Sequence, residues 1–212
     1  MLFRKIKRFF SANTFFWKYR HLIQKSYQNG DPQPRPLDKF FFEVIENYQI
    51  KSILDFGFGR GYMLKELYNK NIDINLLGID INRFNIQALE KEIGRQNIFL
   101  YEKFDKNLIK KDIKNINLSK IDLIVFDRVL YIFSDNELDK LFKEITTLTS
   151  YILIDDFTET DVIKDPEYRH RNWIKILKEF NFKPEIIIDS INGQPHNCIS
   201  KTLLFSRQRE NI

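Results

Sequence analysis

The chain has 212 residues, of which 43% are hydrophobic and 30% are charged, so it is long enough to bury the core of one globular domain. Its single cysteine excludes an intrachain disulfide framework and a cysteine-based zinc site. The longest apolar runs are too short to span a bilayer. We therefore expect one domain in a reducing, cytoplasmic setting, without a metal site.

The first 28 residues form a basic and aromatic arm. The arm contains seven lysines and arginines and no acidic residue, whereas the formal charge of the whole chain is only +5. Three prolines between residues 32 and 36 then break any helix. We predict an arm with a proline-rich linker over residues 1–36 and a single domain over residues 37–212. The concentrated charge makes nucleic acid or an anionic membrane surface a candidate partner of the arm.

Helical and strand patterns alternate along the rest of the chain. The strands are predicted at residues 52–56, 74–79, 98–101, 121–126, 151–154, 185–188 and 202–205. The helices are predicted at residues 40–48, 61–70, 83–95, 135–148 and 165–180, and the fourth helix opens with a capping box of Ser134 and Glu137. Such alternation predicts an α/β fold of three layers, with a seven-stranded, mostly parallel sheet. The last two strands have no helix between them, which predicts a C-terminal antiparallel hairpin.

A glycine-rich turn follows the first predicted strand. Gly57 and Gly59 stand where the backbone of a nucleotide site must turn sharply and approach a ligand, and Gly61 stands where the next helix must pack tightly. The dinucleotide fingerprint requires its third glycine one position later, where this chain has Tyr62. Asp55 is poorly suited to a pyrophosphate but suits a ligand that carries an ammonium group. The turn therefore indicates a nucleotide-like ligand other than NAD.

The segment Ile53-Leu54-Asp55-x-Gly57-x-Gly59-x-Gly61 resembles motif I of the class I methyltransferases that use S-adenosylmethionine (SAM). The resemblance covers roughly residues 38–207. It implies a Rossmann-like sandwich, SAM as the cofactor and methyl transfer as the reaction. In this family the glycine loop surrounds the methionine part of SAM, and the acid before it, here Asp55, helps to hold the amino group.

The resemblance also assigns cofactor contacts to residues after the second and third strands. Asp80 resembles the family's ribose-binding acid, with Ile81 next to it, and Asp105 resembles the acid near the adenine. The residues themselves leave alternatives open. A carboxylate at position 80 can cap the following helix, although Asn82 is better placed for that role. Asp105 can equally be a solvated loop residue.

Candidate residues for the acceptor side follow the fourth predicted strand. Residues 121–131 resemble motif IV of the family, which places Asp127 where the sulfonium of SAM and the acceptor meet. Arg128 and Tyr131 are candidates to face the acceptor. Because Tyr131 also has the spacing of a core residue, packing in the core is its alternative role.

Three other segments supply candidates for the same side. Asp155 and Asp156 end the fifth predicted strand, and we expect one to point inward and the other to be solvated, with Asp156 as a candidate base. His170 lies among cations early in the last predicted helix and either deprotonates an acceptor hydroxyl or is a surface residue. Trp17 and Arg20 of the arm resemble part of a lid over the site, with simple packing on the domain as the alternative.

The expected reaction is methyl transfer to an oxygen of a small-molecule, sugar-type (glycan) or lipid-linked acceptor. Cys198 lies between the last two predicted strands, which argues against the cysteine-dependent methylation of cytosine C5. Residues 127–130 read Asp-Arg-Val-Leu and so lack the Asn/Asp-Pro-Pro-Tyr signature of base-amino methylation. Two alternatives remain open. One is an RNA methyltransferase, and the other is a non-catalytic SAM-binding protein that associates with a membrane surface.

Overall fold

A computed structural model of the chain describes residues 36–70, 72–159, 169–191 and 199–208. The arm, including Trp17 and Arg20, lies outside the described residues, so its boundary and its role as a lid stay predictions. The strands are β1 (Ser52–Phe56), β2 (Asn75–Ile79), β3 (Ile98–Tyr101), β4 (Ile121–Asp127), β5 (Thr149–Phe157), β6 (Phe182–Asp189) and β7 (Ser200–Arg207). The helices are α1 (Pro36–Asn47), α2 (Tyr62–Asn69), α3 (Arg83–Ile93), α4 (Lys106–Asn115), α5 (Asp135–Ile145) and α6 (Trp173–Lys178).

The seven strands form one sheet in the order β3-β2-β1-β4-β5-β7-β6. Strands β1 to β5 pair in parallel, whereas β7 is antiparallel to both β5 and β6. This arrangement confirms the predicted mostly parallel sheet and its C-terminal antiparallel hairpin. The strand order reverses between β1 and β4, and a ligand in an open α/β sheet binds at such a switch point, beyond the carboxyl ends of the strands.

Two hydrophobic clusters pack on opposite faces of the sheet. One contains residues of α1, α2 and α3, such as Val44, Leu64 and Leu89. The other contains residues of α4, α5 and α6, with Phe142 among them. Alternate residues of the central strands point to the two clusters, which explains why residues 123–126 of β4 are all apolar. The three layers are as predicted. None of the helices in the described part of the chain is both long and apolar enough to cross a membrane.

The helix starts agree with the sequence at α3 and α5. At α5 the Ser134 hydroxyl accepts the Glu137 N–H, and the Glu137 carboxylate accepts the Ser134 N–H at 2.7 Å, which confirms the predicted capping box. The hydrogen bonds that the Glu137 carboxylate accepts from the Ser134 hydroxyl, at 2.6 Å, and from the Ser134 N–H lower the pKa of Glu137. At α3 the side chain of Asn82 accepts the Phe84 N–H at 3.0 Å. The helix ends at Ile93, two residues earlier than predicted, because Gly94 has φ +89°.

One helix was missed in the sequence. Helix α4 buries only Ile109 and Ile113 of its ten residues, so its apolar stripe is too narrow to stand out from the lysines around it. Its N-cap is Asp105, whose Oδ1 accepts the N–H groups of Asn107 and Leu108 at 3.0 and 3.1 Å. The segment between β3 and β4 is therefore a helical crossover, as parallel pairing requires.

Within the described part of residues 165–180, the predicted helix is confirmed only over Trp173–Lys178, and its predicted start is wrong. Helix α6 begins only at Trp173 and is capped by Asn172, while residues 160–168 lie outside the described part. Before it, the Arg171 N–H donates to the Phe157 carbonyl at 3.4 Å, and the Arg171 carbonyl accepts the Glu159 N–H at 3.1 Å. This pairing with the chain after β5 excludes a helix here. His170 therefore lies in an extended segment.

Candidate functional site

The glycine turn between β1 and α2 folds against the end of β2. The Gly57 N–H donates to the Ile79 carbonyl at 2.7 Å, and the Gly59 N–H donates to Oδ2 of Asp80 at 2.8 Å. Gly57, Gly59 and Gly61 have φ values of +82°, +57° and +69°. Residues with a side chain rarely adopt this region, so the shape of the turn depends on glycine.

The three glycines face different surroundings. A Cβ atom at Gly57 would lie 2.6 Å from the Val129 side chain, and one at Gly61 would lie 2.7 Å from Leu89. The predicted tight packing at Gly61 is thus confirmed, and Gly57 is required for packing against the turn after β4. A Cβ atom at Gly59 would meet no atom within 4 Å. Gly59 therefore leaves open a cradle that a side chain would fill, which fits a turn that wraps a ligand.

Asp80 connects the glycine turn to the start of α3. Its Oδ2 accepts the Gly59 N–H, and its Oδ1 accepts the Asn82 N–H at 2.7 Å and the Asn85 side-chain amide at 3.4 Å. Burial raises the pKa of Asp80 to about 6, although these hydrogen bonds favour the ionised form. Because Asn82 caps α3 through its own side chain, capping of that helix does not account for the side chain of Asp80.

Two more carboxylates lie at the ends of the strands that flank the switch point. Asp55 is buried in β1 and is in register with Gly78 of β2 and Val125 of β4. Asp127 is the last residue of β4 and is half-buried. The structure thus brings Asp55, Asp80 and Asp127 to the same edge of the sheet as the glycine turn.

The residues predicted near the adenine are placed less specifically. Ile81 is half-buried directly after Asp80. Asp105 lies beyond the carboxyl end of β3 and caps α4 with Oδ1. The capping bonds give Asp105 a structural role, and its contact with adenine stays a prediction.

Arg128 joins the end of β4 to β5 and the C-terminal hairpin. It has φ +53°, an unusual value for a residue with a side chain, and its Nε donates to Asp155 at 2.9 Å. Its Nη2 donates to the hydroxyls of Ser190 and Ser200 at 2.7 and 2.9 Å, and Thr202 donates to Asp155 at 2.7 Å. These partners are 27 to 72 positions from Arg128 in the sequence, so no local pattern could reveal this network.

The predicted division of Asp155 and Asp156 into an inward and a solvated carboxylate is wrong, because both are buried. Oδ2 of Asp156 accepts the N–H groups of Leu130 and Tyr131 at 2.7 and 3.2 Å, and Oδ1 accepts the Phe157 N–H at 2.7 Å. Burial raises the pKa of Asp156 to about 7, against the effect of these donors. Both oxygens of Asp156 already accept backbone N–H groups, so its contacts indicate a residue that holds the turn after β4 rather than a base facing the acceptor.

Two arginines contact the other side of that turn. Arg171, which is buried, donates to the carbonyls of Leu130 and Phe133 at 3.0 and 2.5 Å. Arg169 donates to the Ile132 carbonyl at 2.6 Å. In the sequence these two residues stand out only as cations around a histidine. The turn over residues 130–133 is thus bound on one side by a carboxylate and on the other by guanidinium groups.

Tyr131 and His170, both predicted acceptor-side residues, pack on the same ring. The Phe157 ring lies 5.2 Å from the Tyr131 ring in an edge-on contact and 5.8 Å from the His170 imidazole in a stacked contact. Tyr131 is largely buried. Both imidazole nitrogens are buried, and neither forms a hydrogen bond with any residue in the described ranges. A buried polar group without a partner is rare, so the imidazole is a candidate for an interaction with a substrate.

Comparison with known proteins agrees with this site. Residues 53–150 match the family model described as a methyltransferase domain. No curated protein matches the chain. Among solved structures, TehB from Haemophilus influenzae has a TM-score of 0.60 and 17% identity, over 89% of this chain and 66% of TehB. The chain therefore spans slightly less than two thirds of TehB.

Two other similar structures contain S-adenosylhomocysteine. The plantazolicin methyltransferase BpumL, in complex with a pentazolic substrate analogue, has a TM-score of 0.61 and 15% identity over 97% of each chain. An O-methyltransferase from a polyketide synthase of Brevibacillus brevis has a TM-score of 0.59 and 15% identity, over 92% of this chain and 77% of that one. At these identities the likeness shows the fold, and the family match adds the methyltransferase domain. With its glycine turn at the switch point of that fold, the chain contains a methyltransferase domain over residues 53–150.

Proposed function

We propose that this enzyme transfers the methyl group of SAM to a hydroxyl oxygen of a small-molecule, sugar or lipid-linked acceptor. The observation that carries the proposal is the arrangement at one edge of the sheet. The Gly59 cradle and Asp80 lie beyond β1 and β2, and His170, whose imidazole has no hydrogen bond to a described residue, lies beyond β5. Cofactor and acceptor chemistry would therefore meet across the β1/β4 switch point.

The chain's residues fit the parts of SAM in order. Asp55 would hold the amino group, and the glycine turn would surround the methionine part. Asp80 would accept hydrogen bonds from the ribose hydroxyls, with Ile81 against the nucleoside and Asp105 near the adenine. SAM supplies a methyl group already activated on its sulfonium, so the protein chiefly aligns the reactants and excludes water.

An oxygen acceptor must also lose a proton, and His170 is the proposed group that receives it. Imidazole is the side chain most often used for proton transfer near neutral pH. An acceptor hydroxyl would supply the hydrogen-bond partner that His170 lacks among the described residues. Tyr131 would form part of the wall beside it, and Asp127 would lie near the reacting methyl group. The similarity to a Brevibacillus O-methyltransferase supports an oxygen acceptor.

Calorimetry and a methylation assay test the two halves separately. We expect SAM and S-adenosylhomocysteine to bind and NAD not to bind. We then expect a panel of hydroxyl-containing sugars, lipid-linked sugars and phenols to include an acceptor whose oxygen gains the methyl group. His170→Gln should lower kcat by on the order of 100-fold or more, leaving a measurable residual rate, and keep S-adenosylhomocysteine affinity. Tighter binding of NAD would refute the cofactor site, and a product methylated at nitrogen would refute the oxygen acceptor.

RNA methylation is a second candidate, because α4 carries an unneutralised basic row. Lys106, Lys110 and Lys114 follow one another at i, i+4 spacing, which disfavours a helix by a few tenths of a kcal/mol per like-charged pair. None of them forms an ion pair with a described residue, whereas Lys143 of α5 pairs with Asp139 at 2.6 Å. RNA binding that weakens steeply with salt and is lost in Lys110→Glu would favour this candidate, with Lys143→Glu as the control.

A further inference from the structure

We propose that Arg169 and Arg171 are positioning residues that hold the His170 imidazole over Phe157, beside Tyr131. This proposal rests on the proposed role of His170 as the group that receives the acceptor proton. It concerns the two residues on either side of His170, and each of them binds the turn after β4 through its side chain.

Among the residues that the structure describes, none makes a hydrogen bond that could hold the imidazole. Its nitrogens form no hydrogen bond with the described residues, and its observed contact is the stack on Phe157 at 5.8 Å, with the ring planes 28° apart. A single ring stack is a weak interaction that does not by itself fix a rotamer. The position of His170 must therefore come mainly from the segment that carries it.

Both neighbours of His170 are anchored to the same turn. Residues 130–133 form a short 3₁₀ turn and its exit, in which the Leu130 carbonyl accepts the Phe133 N–H at 3.2 Å. The carbonyls of Ile132 and Phe133 need donors from outside the turn. Arg169 supplies one to Ile132, and Arg171 supplies one each to Leu130 and Phe133. The turn also carries Tyr131, so the same hydrogen bonds fix the distance between the tyrosine and the histidine segments.

The backbone of Arg171 is anchored as well. It pairs with Phe157 and Glu159 through one hydrogen bond on each side, and the indole of Trp173 donates to the Phe157 carbonyl at 3.0 Å. Phe157, on whose ring the His170 imidazole stacks, is thus hydrogen-bonded to the residues immediately after His170. These bonds set the height of the imidazole above the phenyl ring.

The carbonyl contacts, rather than the ion pair, explain why residue 171 is an arginine. Its partner Asp135 is 92% exposed at the side chain, and an ion pair with so exposed a group contributes little. A guanidinium presents five donors in a rigid plane and can serve two carbonyls and a carboxylate at once. A lysine at this position would carry the charge but could not reproduce that geometry.

The test uses the full chain and two readouts. The protein has only three histidines, so the ring protons of His170 can be assigned by NMR through His170→Gln. In the parent, stacking on Phe157 should displace these signals upfield by ring current. In Arg171→Gln, and to a smaller extent in Arg169→Gln, the displacement should be lost while S-adenosylhomocysteine affinity stays within about twofold.

Arg207→Gln is the matched control, because Arg207 also donates to a backbone carbonyl, that of Thr149, and packs on a phenyl ring, that of Phe182. It should leave the His170 signals in place. If Arg171→Gln fails to fold, Arg171→Lys and Arg169→Gln replace it. Unchanged His170 signals in the folded variants would refute the proposal, whatever the fate of the methylation assay.

Turnover provides the second readout once an acceptor has been found. Misplacing a reacting group by about 1 Å can slow a reaction on the order of 100-fold. We therefore expect Arg171→Gln to lower kcat by about tenfold or more in the parent, and to have no further effect in the His170→Gln background. Equal losses in the two backgrounds would show that Arg171 only stabilises the fold.

Discussion

The two halves of the site lie on one edge of one sheet, but they are held by different means. The cofactor half consists of the glycine turn and Asp80, which are neighbours in consecutive strand–helix units and are joined mainly by backbone hydrogen bonds. The acceptor half is assembled from the segments 128–133, 155–157 and 169–171, together with Ser190, Ser200 and Thr202, and is joined by buried charged side chains. Short-range backbone geometry thus builds one half, and long-range polar packing builds the other.

The largest effect that distinguishes the halves is expected at Asp156. Asp156→Ala would leave the buried N–H groups of Leu130, Tyr131 and Phe157 without their acceptor, each at about 1–3 kcal/mol. We expect the free energy of unfolding, measured with urea, to fall by at least about 3 kcal/mol. Asp156→Asn keeps one acceptor oxygen, so its free energy of unfolding should fall by less.

The matched control is Asp189→Ala, which removes an exposed carboxylate paired with Lys201. Its effect should stay within about 0.5 kcal/mol. An Asp156→Ala variant as stable as this control would show that the acceptor half does not depend on its buried carboxylate.

Gly59→Val should have the largest effect on the cofactor half. The added side chain would project where no protein atom lies within 4 Å, from a backbone at φ +57°. We expect S-adenosylhomocysteine affinity, measured by calorimetry, to fall at least about 100-fold, or about 2.7 kcal/mol, while the fold persists. Gly94→Val, at φ +89° and outside the glycine turn, carries a similar backbone strain and should not affect binding. Parent-like affinity in Gly59→Val would place the cofactor elsewhere.

Asp80→Ala should weaken binding by about 2 kcal/mol, roughly 30-fold, because two charge-assisted hydrogen bonds to the ribose would be lost. Asp80→Asn should lose less affinity, since the amide keeps one acceptor oxygen. Asp105→Ala is the useful comparison. It should destabilise α4 by about 1 kcal/mol through the lost cap. If the predicted adenine contact exists, Asp105→Ala should also weaken the binding of S-adenosylhomocysteine. Without that contact, the affinity should not change.

The smallest expected effect is a pH dependence of cofactor binding. The ionised form of Asp80 accepts the ribose hydrogen bonds, and burial raises its pKa to about 6 in the free protein. Affinity for S-adenosylhomocysteine should therefore fall as pH drops through 6, by about tenfold between pH 7.5 and 5, because the ionised fraction of Asp80 falls about tenfold for each pH unit below the pKa. In Asp80→Asn the affinity for S-adenosylhomocysteine should not change over this pH range. If the affinity of the parent is equally independent of pH, the assignment of Asp80 to the ribose is refuted.

Stability should respond to pH in the opposite direction. Asp80 and Asp156 have pKa values of about 6 and about 7, above the value of about 4 expected in the unfolded chain. Folding therefore favours their protonated forms. The stability that these two groups contribute is complete below about pH 4 and is lost as pH rises through 6 and 7. Lowering the pH should therefore weaken S-adenosylhomocysteine binding but increase the contribution of these two groups to the free energy of unfolding. One pH series that measures both quantities can tell the two effects apart.

The amino-acid sequence by itself determined the layers, the direction of most strands and the cofactor half. Its signals are local: apolar runs, capping residues at α3 and α5, and glycines at positions where φ is positive. The glycine spacing and Asp80 lie within 30 residues of each other, so a one-dimensional pattern contains the whole turn. Helix α4 was missed for the complementary reason, since its local apolar signal rests on Ile109 and Ile113 alone.

Only the tertiary structure decided the roles of the buried charges. Whether Asp156 faces an acceptor or binds Leu130, and whether Arg171 lies on a helix or donates to that same turn, depends on segments 26 to 41 positions apart. The sequence around a carboxylate or guanidinium looks the same whether the group contacts a ligand or binds the backbone of a turn. The role of such a side chain depends on which backbone N–H and C=O groups near it lack a hydrogen-bond partner in the packed sheet. Those groups come together only once the strands have assembled.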